Sequence, residues 1–158
     1  MTEKVPPQNL EAEQSLIGSM LIDKDAVIAV SGWLFPEHFY DERNGMIYAS
    51  ILDLFNDALP IDLITLSDLL KKRKQLSKIG GKTYLADLVA MVPTSAHAEE
   101  YGTIVKENAT RRGLIAASRD ITELAFDEAK KIDTVMDQSE KKIFDVAHSG
   151  TKIGRAHV

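Results

Sequence analysis

Gly81-Lys82-Thr83 carries the closing letters of a phosphate-binding P-loop, in which a glycine-rich turn wraps its backbone amides around phosphates and a lysine reaches the outer ones. The turn needs a glycine five residues before Gly81, and that place holds Leu76. No strand pattern precedes it. Without the turn the amides cannot converge on an anion, so the triplet reads as the plain start of a helix. His97-Ala98-Glu99 has the His-x-Glu spacing of zinc deaminases, where the histidine holds the metal and the glutamate moves protons. Cysteines complete that zinc shell, and the chain has none. These residues therefore read as the first turn of a solvated helix. His38, His97 and His148 are too scattered for a metal cluster, and His157 lies at the end of the chain. The missing cysteine also excludes disulfides, thiolate metal sites and a cysteine nucleophile. No catalytic activity, cofactor or metal is expected of these residues.

Basic runs are the next candidates: Lys71-Lys72-Arg73-Lys74 with Lys78, Arg111-Arg112, Lys130-Lys131 and Lys141-Lys142 could grip nucleic acid or an acidic partner. No aromatics interleave with them, and the formal net charge is −5, so a solvated helix face is the default for each. The rival they leave is a stand-alone helical DNA-binding or regulatory protein, recognisable by salt-steep DNA binding. Paired acids such as Glu99-Glu100 sit where a helix dipole favours negative charge. At 158 residues, 44% hydrophobic and 27% charged, the chain can build one domain with a real core. Its start, MTEKVPPQN, has no apolar segment behind a basic one, and no run approaches membrane-spanning length. A cytoplasmic protein with no membrane partner is expected.

The elements that would position these residues are all helical by period. Residues 1–8 form a polar arm expected to be flexible and stopped by Pro6-Pro7. A head spans 9–93. In it Asn9 is the N-cap of a helix whose buried stripe is Leu10, Ile17, Met20 and Leu21, with Glu11 and Glu13 in the first turns. A short helix covers Asp25 to Ser31, Pro36 opens a turn anchored by aromatics, and Asp41 to Ala58 is helical with Ile47, Ile51, Leu54 and Phe55 inward. Thr65 with Asp68 looks like a capping box and Ile64 with Leu69 like a staple, so the next helix is expected from Leu66 to about Gln75. Gly80-Gly81 breaks the pattern, and Tyr84, Leu85, Leu88 and Val89 restart it until Pro93.

A hairpin follows over 95–147. Tyr101, Ile104, Val105, Ile115, Ser118, Ile121, Thr122 and Ala125 recur at spacings of three and four along a helix from Ser95 to about Phe126. Ile132, Val135, Met136, Ser139, Ile143 and Val146 repeat the pattern from Lys131 to Ala147, so the two runs fold back at Asp127 to Lys131 and bury their stripes against each other. Two helices have no closed core, and the apolar rim left over marks an assembly element, with Ile104 and Ile143 as candidate self-association positions. The fold class is all-α, a compact multi-helix head followed by a long antiparallel helical hairpin.

PPQNLEAEQSLIGSML, the Leu34-Phe35-Pro36-Glu37-His38-Phe39 segment, IDLITLSDLL and IGGKTYLADLVAMVPTSAHAEEYGTIVKENATRRGLI resemble, in unbroken order, the N-terminal domain of DnaB-type bacterial replicative DNA helicases. The chain departs from that pattern at Phe35 and His38, and at Gly113, which follows Arg111-Arg112 in mid-helix, where it costs about 1 kcal/mol against alanine and invites a kink or softened packing. What the resemblance implies is subunit assembly: hairpins pair between copies into a collar on a hexameric ring, and the collar docks primase during DNA replication. On this resemblance Glu11, Tyr84, Ile115 and Ile121 are the candidate primase-facing residues. The resemblance also implies a helicase loader as a partner. ATP and magnesium, and most contact with DNA, would belong to a RecA-like motor domain that this chain does not contain.

The last expectation concerns 148–158, a Ser-Gly-Thr linker and Ile153-Gly154-Arg155-Ala156-His157-Val158. Those six residues are what ATC GGA AGA GCA CAC GTC would encode, a string that matches a common sequencing adapter in one frame. The tail is expected to be adapter-derived, and the genuine protein to continue past about Lys152 into a linker and the motor.

Overall fold

The computed structural model describes residues 4–149, and among them seven α-helices and one 3-10 turn occur with no strand. The expected all-α architecture holds. Residues 1–3 of the arm and residues 153–158, expected to be adapter-derived, lie outside the described range. The chain divides into two compact units, one of Gln8–Lys106 and one that joins the arm through Pro7 to the residues from Glu107 onward.

The first unit is the head. α1 (Leu10–Ile22) starts where Asn9 accepts a hydrogen bond from the Ala12 amide at 2.9 Å. Its buried face is Ala12, Leu16, Ile17 and Met20, while Leu10, the first residue of the helix, stands 38% exposed rather than buried as its spacing suggests. α2 (Asp25–Ser31) buries Val27 and Val30, and the 3-10 turn Pro36–His38 leads into α3 (Glu42–Asn56), capped by Asp41. Ile47, Tyr48, Ile51 and Leu54 of α3 fill the centre, and the Tyr48 hydroxyl donates to the Leu34 carbonyl at 2.9 Å. Burial pushes the Tyr48 phenol well above its ordinary range.

α4 (Leu63–Lys72) begins three residues earlier than the spacing suggested. Asp62 is the N-cap: its carboxylate accepts from the Thr65 amide at 2.8 Å while Thr65 Oγ1 accepts from the Asp62 amide at 3.1 Å. The box is thus Asp62 with Thr65, not Thr65 with Asp68. Ile64 is no staple either, being 81% exposed. α5 (Gly81–Ala90) follows Gly80, whose φ of 104° is open to glycine and strained for other residues. α1 lies directly on α5, because a Cβ at Gly18 would sit 2.3 Å from the Leu88 carbonyl oxygen.

α6 (Ala98–Phe126) is one unbroken helix of 29 residues through Gly113, about 44 Å long at 1.5 Å per residue. Its first turns belong to the head rather than to a separate hairpin. Ala98 and Val105 are buried in the head core, and Gly102 lets the helix approach Trp33, whose ring a Cβ there would meet at 2.9 Å. The head therefore extends past 93 to Lys106. In the second unit α6 turns back through Asp127 to α7 (Ile132–Ala147).

Candidate partner interface

On the head, Glu11 and Tyr84 have different surroundings. Glu11 is exposed in the first turn of α1. Glu13, two residues on and read from sequence only as another dipole-stabilising acid, is 1% exposed. Its carboxylate accepts from the Tyr40 amide at 2.7 Å, the Asn44 side-chain amide at 3.0 Å and the Asp41 amide at 3.3 Å. A buried carboxylate is held only where donors converge, and here they are the backbone entering α3 and a side chain of its first turn. The network ends at the surface. Asn44 Oδ1 accepts from the Tyr84 hydroxyl at 2.6 Å, Gln14 Nε2 donates to the same hydroxyl at 3.4 Å, and the Arg43 guanidinium lies 4.8 Å over the Tyr84 ring. Partial burial raises the Tyr84 phenol, and Asp41 holds Arg43 by an ion pair at 2.8 Å. Tyr84 is thus a half-buried ring fixed at its hydroxyl and covered by a cation.

In the second unit the hairpin runs antiparallel: Asp120 pairs with Lys142 at 3.3 Å, and a Cβ on Gly113 would lie 3.2 Å from Val146. The glycine that departs from the expected helix pattern is where α7 comes closest. Ala117 is buried and Gly113, Ile121 and Leu124 are half-buried, so small residues form much of the α6 contact face. Ile115 is 40% exposed, and Ser118, Thr122 and Ala125 face solvent. The apolar stripe expected through those positions is displaced because the hydroxyls of Ser118 and Thr122 are already satisfied by the carbonyls of Leu114 and Ser118, at 2.8 and 2.9 Å, and need no interior.

On α7 the apolar stripe is split along its length. Val135 is buried and Val146 and Ser139 half-buried, while Ile132, Met136 and Ile143 are 71%, 53% and 45% exposed. Ile104 has a different setting. It is half-buried and packs against the head core, in the other unit from Ile143. The candidate residues therefore divide, with Glu11, Tyr84 and Ile104 on the head and Ile115, Ile121 and Ile143 on the hairpin. At the arm, the Arg112 guanidinium donates to the Pro7 carbonyl at 2.7 Å.

Among the described residues no three His, Asp or Glu side chains come together as a metal site, and no helix is long and apolar enough to cross a membrane. Gly81 and Lys82 open α5 as a plain helix start. Of the longest basic run, Lys72 pairs with Asp68 at 3.0 Å, and Arg73 is held by Asp53 and by Ser50.

Comparison with known proteins places this architecture. The DnaB-like helicase N terminal domain family matches residues 5–107. The chain belongs to that family. The DnaB-like N-terminal fold extends into the hairpin as well: the crystal structure of the N-terminal domain of DnaB helicase from Mycobacterium tuberculosis superposes with a TM-score of 0.85 at 38% identity, covering 89% of this chain and 99% of that one. A DnaB-like replicative helicase whose structure was described with its interactions with primase shares the fold at a TM-score of 0.73 and 21% identity, over 94% of this chain and 34% of that one. Among sequences, the replicative DNA helicase DnaB of Geobacillus stearothermophilus is 36% identical over 152 residues, 94% of this chain and 34% of its own length. That of Leifsonia xyli is 37% identical over 144 residues, 91% of this chain and 32% of its own length. The chain spans about a third of these relatives.

Proposed function

We propose that this chain is the assembly and docking portion of a replicative DNA helicase. Its hairpin pairs with the hairpin of a second copy in a ring, and the resulting collar receives primase at Glu11, Tyr84, Ile115 and Ile121. The observation that carries this reading is the split stripe of α7 in a DnaB-like N-terminal domain, with Ile132, Met136 and Ile143 left in solvent beside a packed edge of Val135 and Val146. Fully burying an isoleucine or methionine side chain is worth about 1.5–3 kcal/mol, so a half-exposed trio repeated on two copies supplies the drive for pairing. Hydrolysis of ATP with magnesium and most DNA contact belong to a motor domain of the parent protein, acting in the cytoplasm, where a helicase loader is a further partner.

Light scattering of the chain tests the pairing, with a mass above the monomer expected. Calorimetric titration with the primase of the same organism tests the docking. Glu11→Lys, Ile115→Asp and Ile121→Asp are expected to weaken primase binding without lowering the melting temperature of the head, and primase binding unchanged in all three refutes the docking surface. The rival of a free-standing DNA-binding regulator predicts a steep salt dependence in a gel shift. The pairing-and-docking reading predicts no such shift.

A further inference from the structure

A groove of about 660 Å³ between α4 and α5 is lined by Ile64, Asp68, Lys71, Lys74, Leu76 and Lys82, among others. Its walls combine exposed apolar surface with lysine ammonium groups. Ile64 is 81% exposed and Leu76 half-buried, so the lining offers apolar contact to a visiting side chain. Around it Lys71, Lys74 and Lys82 have no carboxylate partner among the described residues, and the acid in the lining, Asp68, is taken by Lys72 at 3.0 Å. The groove is thus a basic island on a chain whose formal net charge is −5.

The backbone adds a second sign. Lys74 has φ 59°, the left-handed conformation in which a helix end normally carries glycine, and the Gln75 amide closes α4 on the Leu70 carbonyl at 2.8 Å. A lysine at that place is strained for the fold and puts an ammonium on the groove. Ser67, also in the wall, keeps a buried hydroxyl with no hydrogen-bond partner among the described residues. No aromatic side chain is among the lining residues, so nucleic-acid bases have nothing to stack on, and the apolar rim has no use in gripping phosphates.

We infer that this groove docks an acidic, amphipathic segment of a partner protein, with an apolar side chain against Ile64 and Leu76 and carboxylates on Lys71, Lys74 and Lys82. The surface is separate from the residues assigned to primase and to self-pairing. The test is fluorescence anisotropy of a short fluorescein-labelled peptide of glutamates and aspartates with two leucines, titrated with the whole chain. Saturable binding is expected. Lys71→Glu with Lys74→Glu weakens it about tenfold or more, since two attractive pairs become repulsive, and Ile64→Asp weakens it comparably. Lys141→Glu on α7 leaves it within about twofold. Lys74→Gly is the decisive variant: it raises the melting temperature by removing the strain and still weakens the peptide. Four results overturn the proposal: no saturation, equal binding by a peptide with serines in place of the leucines, an equal loss in Lys141→Glu, or tighter binding of a labelled oligothymidylate, which would assign the groove to single-stranded nucleic acid.

Discussion

Replacing Glu13 by glutamine removes one carboxylate oxygen from a site in which both oxygens are engaged by donors. Oε2 takes the Tyr40 amide at 2.7 Å, and Oε1 takes Asn44 Nδ2 at 3.0 Å and the Asp41 amide at 3.3 Å. Whichever way the glutamine amide turns, its NH2 faces a donor. At least one charge-assisted hydrogen bond, worth about 1.5–3 kcal/mol, is lost, and a buried donor is left unpaired. A destabilisation of about 2–4 kcal/mol follows. For a cooperative unit near a hundred residues each kcal/mol moves the midpoint by roughly 4–8 °C, so the head should melt roughly 8–32 °C lower. Far-UV circular dichroism on heating measures it, with Glu11→Gln as the exposed control, expected within about 0.5 kcal/mol of the parent. Aspartate at 13, too short to span the donors, should fare no better than glutamine. A Glu13→Gln midpoint within about 2 °C of the parent would refute the claim that this carboxylate fastens α1 to the start of α3.

Three further outcomes are expected. Gly18→Ala puts a methyl 2.3 Å from the Leu88 carbonyl oxygen, which cannot move without shifting α5, so the urea midpoint should fall by the equivalent of about 1–3 kcal/mol or more. Ala58→Gly, where α3 ends at φ 55°, should raise the urea midpoint by the equivalent of about 1 kcal/mol, because glycine adopts that backbone without the Cβ clash. Asp41, whose carboxyl is held below its ordinary 3.8 chiefly by its hydrogen bond to the Arg43 side chain, adds stability that is present in full above pH 3.8 and is lost as pH falls through the lowered native value. Asp41→Asn keeps an N-cap while removing that charge, so the acid limb of its stability profile should be shallower than the parent's, as read from urea midpoints between neutral and acid pH.

What the sequence displayed was local physics, and what it hid was tertiary. Asn9 as a cap, Pro36 as a turn opener, the Gly80-Gly81 break and the return at Asp127 to Lys131 all depend on groups a few residues apart, and each is where the residue types put it. α4 starts three residues before the position its spacing suggests because Thr65 plays the answering half of a capping box, and only the geometry of Asp62 shows which partner leads. Glu13 could not be told from Glu11 by sequence position. One lies in solvent and the other meets donors from residues 27 to 31 positions away. The hairpin face was shifted toward Ser118 and Thr122 because a count of spacings treats every small residue alike. In the fold Gly113 and Ala117 are valuable to the contact for being small, and the hydroxyls find their acceptors on their own helix. The same limit applied to Ile104, whose spacing matches the hairpin and whose packing is with the head.

Pairing of α7 with a second copy is directly measurable, because the chain has no cysteine and accepts a single engineered label. A single spin label at Glu140→Cys, exposed beside Met136 and Ile143 on the same face of α7, reports the distance to its mate by pulsed dipolar spectroscopy. Pairing through α7 gives a defined distance between labels that disappears on dilution with unlabelled chain and on adding Ile143→Glu, with helicity unchanged. A featureless decay in the parent, or a distance that survives Ile143→Glu, would contradict it.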